Sequence, residues 1–402
     1  MKYISIITGS DLRMVMGVNY FIKSFIQCNE FFNDVQINRV YSGVQTLAID
    51  KNEPMPIGND LGTTEYKIRR GVRTLLRKLL TDKFYPFTLL RYILNIRSVS
   101  KKSVERFLAD EIKCDYIIFQ ELGCAEYFFK HKNEYTKNKD VKTMLVIHSE
   151  DDSCSMTLES FRGYGRKDME KRLFKMRDYV YGHIDKVMYI SRKAYQNSIL
   201  PDSKKAFVYN GSPDIPFSYI KRDDGITQFV CVGSIEGRKG QDKIIEALHL
   251  IDSKHLNKIH VTMVGGGSKE TELKVLAKEY NLEDVVSFAG HRNDVPDILK
   301  GMDVFIMPST VEGLPMSAIE AMRAGLFLIL TDTGGNAELC EDGCGFVCTR
   351  EPQNIVKEMN SVLETKIVNE SQKKNSYNRF LNCFSLSSMA KGYESVLVSM
   401  SK

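Results

Sequence analysis

The chain has 402 residues, of which 43% are apolar and 27% are charged, and its formal net charge is +5. A chain of this length is longer than a single hydrophobic core usually supports, and the composition excludes a disordered or fibrous protein. No stretch approaches the roughly 20 apolar residues that a membrane-spanning helix needs, so we expect a cytoplasmic protein. Nine scattered cysteines without a secretory signal favour reduced thiols over a disulfide framework.

Short β-branched runs alternate with helical patterns along most of the chain, which predicts parallel sheets with crossover helices. The first six runs are YISIIT, VQINRVY, DYIIFQ, KTMLVIH, KVMYIS and AFVYNG. The turn-rich stretch NGSPDIPFSYIKRDDG separates them from QFVCVGS, IHVTMVG, VVSFAG, DVFIMPS, FLILTD and GFVCT. We therefore predict α/β domains at residues 1–215 and 225–380, and a helix within 381–402 that packs on the first domain.

Residues 67–102, called the basic segment below, carry eleven lysines and arginines against a single acid, Asp82. Basic and apolar side chains interleave at roughly helical spacing, as in helices that rest on anionic lipid. The segment predicts an anionic membrane surface as a partner. A packed helix pair with a solvated basic face is the alternative, and nucleic acid is not expected because no recognised binding module accompanies the charge.

Ligands of doubly wound sheets bind beyond the carboxyl ends of the strands, where loops lead into helices. The residues that follow the predicted strands are therefore candidates for function. They are Gly9, His148, Ser191, Asn210, Gly233, Gly265, Gly290, Ser309 and Thr331.

The stretch STVEGLPMSAIEAMRAG follows one of these strands and places Glu312 in a loop and Glu320 on a helix. Pro315 suits the first helical turn, where its missing N–H costs nothing. The amides around the helix start favour a phosphate, whereas the two carboxylates favour neutral hydroxyl groups such as those of a sugar. A solvated carboxylate is the alternative for Glu320. The phosphate candidates are Gly313, Leu314, Met316 and Ser317.

The stretch VGSIEGRKG turns at Gly233 and then presents Arg238 and Lys239, two cations that fit a diphosphate. A basic hairpin tip is the alternative. The later MVGGGSKETEL, with Gly265, predicts a turn beside a ligand cleft. It fails the G-x-G-x-x-G pattern because Glu270 stands at the position of the third glycine, which argues against a hydride-transfer enzyme.

The sequence lacks the motifs of several other enzyme classes. It contains no H-E-x-x-H, G-x-S-x-G or D-x-D, so zinc hydrolases, α/β-hydrolases and carboxylate-held metals lack their anchors. Cys340, Cys344 and Cys348 lack the repeated pairs and fourth ligand of a zinc site, so we predict buried thiols there and no metal.

The stretches VGSIEGRKG, VVSFAGHRNDVPDILKGMDVFIMPSTVEGLPMSAIEAMRAG and TDTGGNAELCEDGCGFV resemble the retaining glycosyltransferases of family 4, which have the GT-B fold. In the first half the resemblance is thinner and rests on VIHSE, VMYISRKAYQNSI and VYNGSPDIPF. It implies an α/β protein with two Rossmann-like domains that face each other across a cleft. The first domain would bind the acceptor and the second the nucleotide sugar.

The resemblance also implies roles for individual residues. Glu320 would bind the ribose hydroxyls, Glu312 the donor sugar and Lys239 a phosphate, while His148 would face the sugar from the first domain. The remaining donor-binding candidates are Gly233, Ser234, Gly313, Leu314, Pro315, Met316, Ser317, Gly265, His291 and Arg292.

Two departures from the family pattern concern its glycine-rich turns. Ser234 stands where the family usually has arginine, and Arg238 is the candidate substitute. The N-terminal glycine pair is reduced to Gly17. On the acceptor side we name Gly17, Glu150 and Asp151, although a solvated role is the favoured alternative for the two acids.

The function implied is transfer of a hexosyl unit from a nucleotide diphosphate sugar to a glycan or lipid-linked saccharide in cell-surface polysaccharide synthesis. The anomeric configuration would be retained, by front-face attack, with no cofactor and no metal, and UDP is favoured on family frequency. Lys239 and the helix amides would stabilise the departing diphosphate. A non-catalytic adaptor that binds nucleotide sugars and a sugar-nucleotide epimerase on the same fold are the alternatives.

Overall fold

The chain folds into two compact units. The computed structural model describes residues 1–12, 17–49, 89–90, 92–150, 154, 158 and 165–401. The first unit comprises Met1–Val208 with Met389–Lys402, and the second comprises Tyr209–Ser388. Residues 216–224, where the sequence predicts a linker, therefore lie inside the second unit. Most of the basic segment, and Asp151, lie outside the described residues.

A seven-stranded sheet forms the centre of the first unit. Its strands are β1 (Lys2–Ile7), β2 (Val35–Tyr41), β3 (Thr46–Ala48), β4 (Tyr116–Phe119), β5 (Lys142–Ile147), β6 (Lys186–Tyr189) and β7 (Lys205–Phe207). They lie in the order β3-β2-β1-β4-β5-β6-β7, and neighbours are parallel except β2 and β3. The strand order reverses between β1 and β4, the point at which such sheets bind ligands.

Helices connect these strands. They are α1 (Gly17–Gln27), α2 (Val99–Ala109), α3 (Leu122–Lys130), α4 (Arg166–His183) and α5 (Arg192–Asn197), and a π-helix at Ile93–Ser98 precedes α2. Helix α1 buries Phe21, Ile22 and Phe25, which recur at the spacing of one helical face. The apolar face of α1 therefore anchors it in the core.

A six-stranded, all-parallel sheet forms the centre of the second unit. Its strands are β8 (Thr227–Val232), β9 (Ile259–Val264), β10 (Val286–Gly290), β11 (Val304–Met307), β12 (Phe327–Thr331) and β13 (Gly345–Cys348). Their order is β10-β9-β8-β11-β12-β13. Every residue of β11 and β12 is buried, as expected of central strands covered on both faces. Here the order reverses between β8 and β11.

Helices of the second unit alternate with these strands. They are α6 (Gln241–Leu250), α7 (Ser253–Leu256), α8 (Glu270–Glu279), α9 (Val295–Lys300), α10 (Met316–Arg323), α11 (Asn336–Leu339), α12 (Pro352–Thr365) and α13 (Glu370–Arg379). A π-helix at Phe380–Phe384 leads from α13 into the last helix, α14 (Leu386–Ser399).

The end of α14 packs within the first unit. The rings of Tyr393 and Phe25 lie with their centroids 4.5 Å apart. The Glu394 carboxylate accepts hydrogen bonds from the backbone amides of Asn33 and Asp34, at 2.7 and 2.6 Å. These contacts fix the C-terminal helix against α1 and the turn before β2.

The predicted α/β class, with two parallel-sheet domains, is confirmed. Of the strands in the described residues, only β3 was missed, because a three-residue edge strand is too short to show a periodic pattern. None of the nine cysteines, all of which lie in the described residues, forms a disulfide, and eight of them are buried, including Cys340, Cys344 and Cys348. Within the described ranges, no helix is both long and apolar enough to span a bilayer.

Candidate active site

The candidate site of the second unit lies where β8 and β11 end side by side. The loop after β8 runs from Gly233 to Gly240, and the loop after β11 leads from Pro308 to α10. Gly265, after β9, approaches so closely that a Cβ atom there would lie 2.0 Å from the carbonyl oxygen of Gly233. Residues distant in sequence are thus brought together at the reversal of strand order.

A buried ion pair joins these two loops. Lys239 and Glu312 are 9% and 8% exposed, and the lysine Nζ donates to Glu312 Oε1 at 2.6 Å. A second cation, Arg238, places Nη1 3.6 Å from the same oxygen and donates to the Val311 carbonyl at 3.4 Å. Two cations against one carboxylate leave a net positive charge, which attracts an anionic ligand.

The loop after β12 supports the loop that carries Glu312. The Gly335 amide donates to the Gly313 carbonyl at 2.6 Å, and Thr331 Oγ1 donates to the Ser309 carbonyl at 2.7 Å. Gly334 has a φ of +55°, and a Cβ atom there would lie 2.2 Å from the Glu312 carbonyl oxygen. Neither Gly334 nor Gly335 was among the residues predicted for the site.

The amino end of α10 adjoins the Glu312 loop. The Ala318 and Ile319 amides both donate to the Pro315 carbonyl, at 3.1 and 3.2 Å. Within the described residues, no backbone carbonyl accepts from Met316 or Ser317, and both residues are half-buried. Two N–H groups at the positive end of a helix can therefore bind an anion. Glu320 is half-buried one turn further along α10.

The remaining donor-side candidates lie further out. Ser234 is exposed, and its carbonyl accepts from the Gln241 side chain at 3.1 Å. His291 and Arg292 are exposed after β10, which is separated from β8 by β9. Arg292 binds Asp294 through two nitrogens, at 2.8 and 2.5 Å. Their predicted contact with a donor stays a prediction.

The first unit places His148 at the carboxyl end of β5. Its Nε2 is 2.7 Å from the amide oxygen of Gln120, and its ring meets the edge of Phe21 at 4.7 Å between centroids. Because an amide oxygen faces the ring, Nε2 carries the proton and Nδ1 is the acceptor. Burial lowers the pKa of His148 to about 4. The side chain is therefore a neutral acceptor of hydrogen bonds at physiological pH.

The other acceptor-side candidates are less enclosed. Gly17 is the first residue of α1, and a Cβ atom there would meet nothing within 4 Å. Glu150 is half-buried and pairs with Lys193 at 3.3 Å. Their predicted role at an acceptor stays a prediction.

A buried carboxylate that was not predicted from the sequence lies at the strand reversal of the first unit. Glu121, two residues after β4, accepts hydrogen bonds from Thr8 Oγ1, the Gly9 amide and Ser10 Oγ at 2.9, 2.8 and 3.1 Å. Burial raises the pKa of this carboxyl, and the donated hydrogen bonds oppose that rise. Glu121 thereby fixes the loop that follows β1.

We expect the His148 ring to stay neutral between about pH 5.5 and pH 8, because its pKa in the fold lies well below the ordinary 6.5 of a histidine. The stabilisation that follows is complete above the ordinary pKa and is lost as the pH falls towards the lowered one. A ¹⁵N NMR titration measures this, with the signal assigned by its loss in His148→Gln. An inflection between about pH 6 and pH 7 would contradict the burial described here.

In the part of the chain that the structure describes, no group of three or more His, Cys, Asp or Glu side chains is arranged to hold a metal ion. The charged groups that the site offers to a ligand include Arg238, Lys239 and Glu312.

The comparison with protein families matches residues 217–379 to the family described as "Glycosyl transferases group 1". A relative from Haemophilus influenzae, named an uncharacterized glycosyltransferase, is 30% identical over 178 residues, which are 44% of this chain and 45% of that protein. An Escherichia coli UDP-Gal:alpha-D-GlcNAc-diphosphoundecaprenol alpha-1,3-galactosyltransferase is 30% identical over 162 residues, or 39% and 42% of the two chains. The chain thus spans less than half the length of these two relatives.

Solved structures of low sequence identity share the fold over the whole chain. Anabaena HepE in complex with UDP superposes with a TM-score of 0.66 at 15% identity, covering 99% of this chain and 100% of that one. Sucrose-phosphate synthase from Thermosynechococcus elongatus gives a TM-score of 0.71 at 15% identity and covers 100% and 99%. Residues 217–379 therefore match the glycosyl transferases group 1 family, and the predicted GT-B fold class is confirmed.

Proposed function

We propose that this chain, whose residues 217–379 match the glycosyl transferases group 1 family, transfers a hexosyl unit from a nucleotide diphosphate sugar to a glycan or lipid-linked saccharide. The observation that carries the proposal is the buried Lys239–Glu312 pair beside the amino end of α10. Cations, carboxylates and the Met316 and Ser317 backbone amides lie together at the carboxyl ends of β8 and β11. A nucleotide sugar presents the phosphates and hydroxyls that such groups bind.

The charges of the site fit the chemistry of a leaving diphosphate. A lysine carries three N–H donors, so Lys239 can bind a phosphate oxygen while it keeps its bond to Glu312. Arg238 and the Met316 and Ser317 amides add further hydrogen-bond donors to the site. Arg238 would thus take the place of the arginine that the family usually has at Ser234. The developing negative charge would meet groups that are already in position, which is the largest usual source of catalysis.

We propose that Glu312 and Glu320 bind the uncharged sugar and ribose of the donor. Carboxylates accept strong hydrogen bonds from hydroxyl groups, and Glu312 would hold the sugar while Glu320 holds the ribose. Two cations stabilise the Glu312 carboxylate, which makes it a poor nucleophile. We therefore propose that the configuration is retained by front-face attack, in which the departing phosphate accepts the proton of the acceptor. We also propose that the chain belongs to family 4.

We propose a UDP-sugar as the donor and no metal or cofactor in the reaction. The galactosyltransferase from E. coli carries UDP-Gal in its name, and HepE was solved in complex with UDP and with UDP-glucose. Lys239 and Arg238 would supply the positive charge that a divalent metal supplies elsewhere. Turnover should then survive treatment with a chelator.

Synthesis of a cell-surface polysaccharide is the proposed setting. Other relatives are named for O-antigen, colanic acid and capsular polysaccharide biosynthesis. The described part of the basic segment exposes Leu90 and Ile93, each by 42%, together with Arg97, Lys101 and Lys102. Apolar and basic groups exposed together support a cytoplasmic enzyme that rests on an anionic membrane. We do not propose nucleic acid as a partner.

A thermal-shift panel of UDP-, GDP- and ADP-sugars tests the donor, because a true ligand stabilises the native protein by mass action. We expect UDP-sugars to raise the melting temperature, and we expect Glu320→Ala to lower turnover of the donor by about tenfold to hundredfold.

Release of UDP in the presence of a lipid-linked acceptor then separates a transferase from an adaptor and from an epimerase. An adaptor would bind without turnover, and an epimerase would alter the sugar nucleotide with no acceptor present. No shift with any nucleotide sugar would refute the proposal.

A further inference from the structure

One arginine outside the predicted site connects the two loops that form it. Arg350 follows β13 by two residues, and its side chain is 30% exposed. Its Nη2 donates to the Gly237 carbonyl at 2.8 Å, and its Nε donates to the Pro308 carbonyl at 3.2 Å. Its Nη2 also lies 3.7 Å from Asp242 Oδ1 in the first turn of α6. A single guanidinium thus bridges the loop after β8, the end of β11 and the start of α6.

The two carbonyls that Arg350 binds lie next to the charged residues of the site. The Gly237 carbonyl directly precedes Arg238 and Lys239, and the Pro308 carbonyl directly follows β11. The Thr310 amide donates to the Arg238 carbonyl at 2.8 Å, which joins the same two segments from the other side. Moving either segment would therefore change the separation of Lys239 from Glu312.

At Gly240 the backbone of the loop after β8 comes close to the Pro308 carbonyl. The φ of Gly240 is +74°, and a Cβ atom there would lie 2.1 Å from the Pro308 carbonyl oxygen and 3.2 Å from Arg350 Nε. The backbone thus passes directly over the carbonyl that Arg350 holds. The planar fork of an arginine can donate to two carbonyls at once, whereas a lysine offers one compact charge.

We propose that Arg350 is a positioning residue for the nucleotide-sugar site, which holds the loop carrying Arg238 and Lys239 in register with Glu312. This inference rests on the proposed function and deepens it. Both Arg350 contacts at the site are with backbone carbonyls, so its effect on a ligand would pass through the loop and not through direct contact.

The experiment compares Arg350→Met and Arg350→Lys with a matched control, Arg222→Met. Arg222 also uses two guanidinium nitrogens, which bind Asp224, but in an exposed stretch before β8. Calorimetry measures UDP binding. Hydrogen–deuterium exchange without ligand measures the protection of the Lys239 and Thr310 amides, which donate to the Glu236 and Arg238 carbonyls.

We expect Arg350→Met to weaken UDP binding by about tenfold and to speed exchange at both amides, with only partial recovery in Arg350→Lys. The control should match the wild type in both measurements. Unchanged exchange in Arg350→Met would overturn the inference, and so would exchange that rises equally across β9 and β12, because that would indicate a global loss of stability. A wild-type protein that binds no UDP would refute the proposed donor, while the exchange result would still decide whether Arg350 holds the loop.

Discussion

Lys239→Met is expected to lower the free energy of unfolding by about 3 kcal/mol and to reduce turnover by at least about a hundredfold. The substitution leaves the Glu312 carboxylate buried without its 2.6 Å partner, and an uncompensated buried charge is costly. Arg238 lies 3.6 Å from the same oxygen and offsets part of this cost, which sets the estimate at the low end of the range. Urea unfolding and UDP-release assays measure the two effects.

The double variant Lys239→Met/Glu312→Gln separates the structural from the catalytic loss. Removing both charges of a buried pair is often nearly neutral for stability, so we expect most of the stability to return. Turnover should not return, because the cation that meets the diphosphate is still absent. A single variant as stable as the wild type, or a double variant that regains activity, would contradict this assignment.

Gly334→Ala is expected to cost at least about 3 kcal/mol of stability or to displace the Glu312 loop, with a loss of about a hundredfold in turnover. The new methyl group would lie 2.2 Å from the Glu312 carbonyl oxygen and 2.5 Å from that of Gly313, so backbone must move. The φ of +55° adds strain for any residue with a Cβ atom. Thermal melting and the UDP-release assay measure the outcome.

Gly237→Ala is the matched control for this variant. Gly237 lies in the neighbouring loop of the same site, but a Cβ atom there would meet nothing within 4 Å, and its φ lies outside the left-handed region. We expect it to keep wild-type stability and at least most of the activity. Equal behaviour of the two alanine variants would show that the close approach at Gly334 does not support the Glu312 loop.

Patterns in the sequence predicted the class of the fold because they are local. Alternating β-branched and helical runs need no knowledge of distant residues, and they located every strand of the described residues except the short edge strand β3. The order of the strands was not predictable in this way. Order depends on which strands pair across the sheet, and β8 pairs with β11 although β9 and β10 lie between them in the chain.

The candidate site was predictable as a set of residues but not as an arrangement. Lys239 and Glu312 were both identified, yet nothing in their spacing of 73 residues indicates that they share a hydrogen bond. Arg350 and Gly334 were missed because they act on backbone carbonyls, which every residue carries and no sequence motif marks. Glu121 carried a usable signal, as an acid directly after the apolar run DYIIFQ.

A crystal structure of the protein with UDP would show directly whether the loops after β8 and β11 bind the donor. We expect diphosphate oxygens to bind Lys239 Nζ and the Met316 and Ser317 amides, and the ribose hydroxyls to bind the Glu320 carboxylate. UDP bound away from the ends of β8 and β11, or bound there without contact to Lys239, would contradict this expectation.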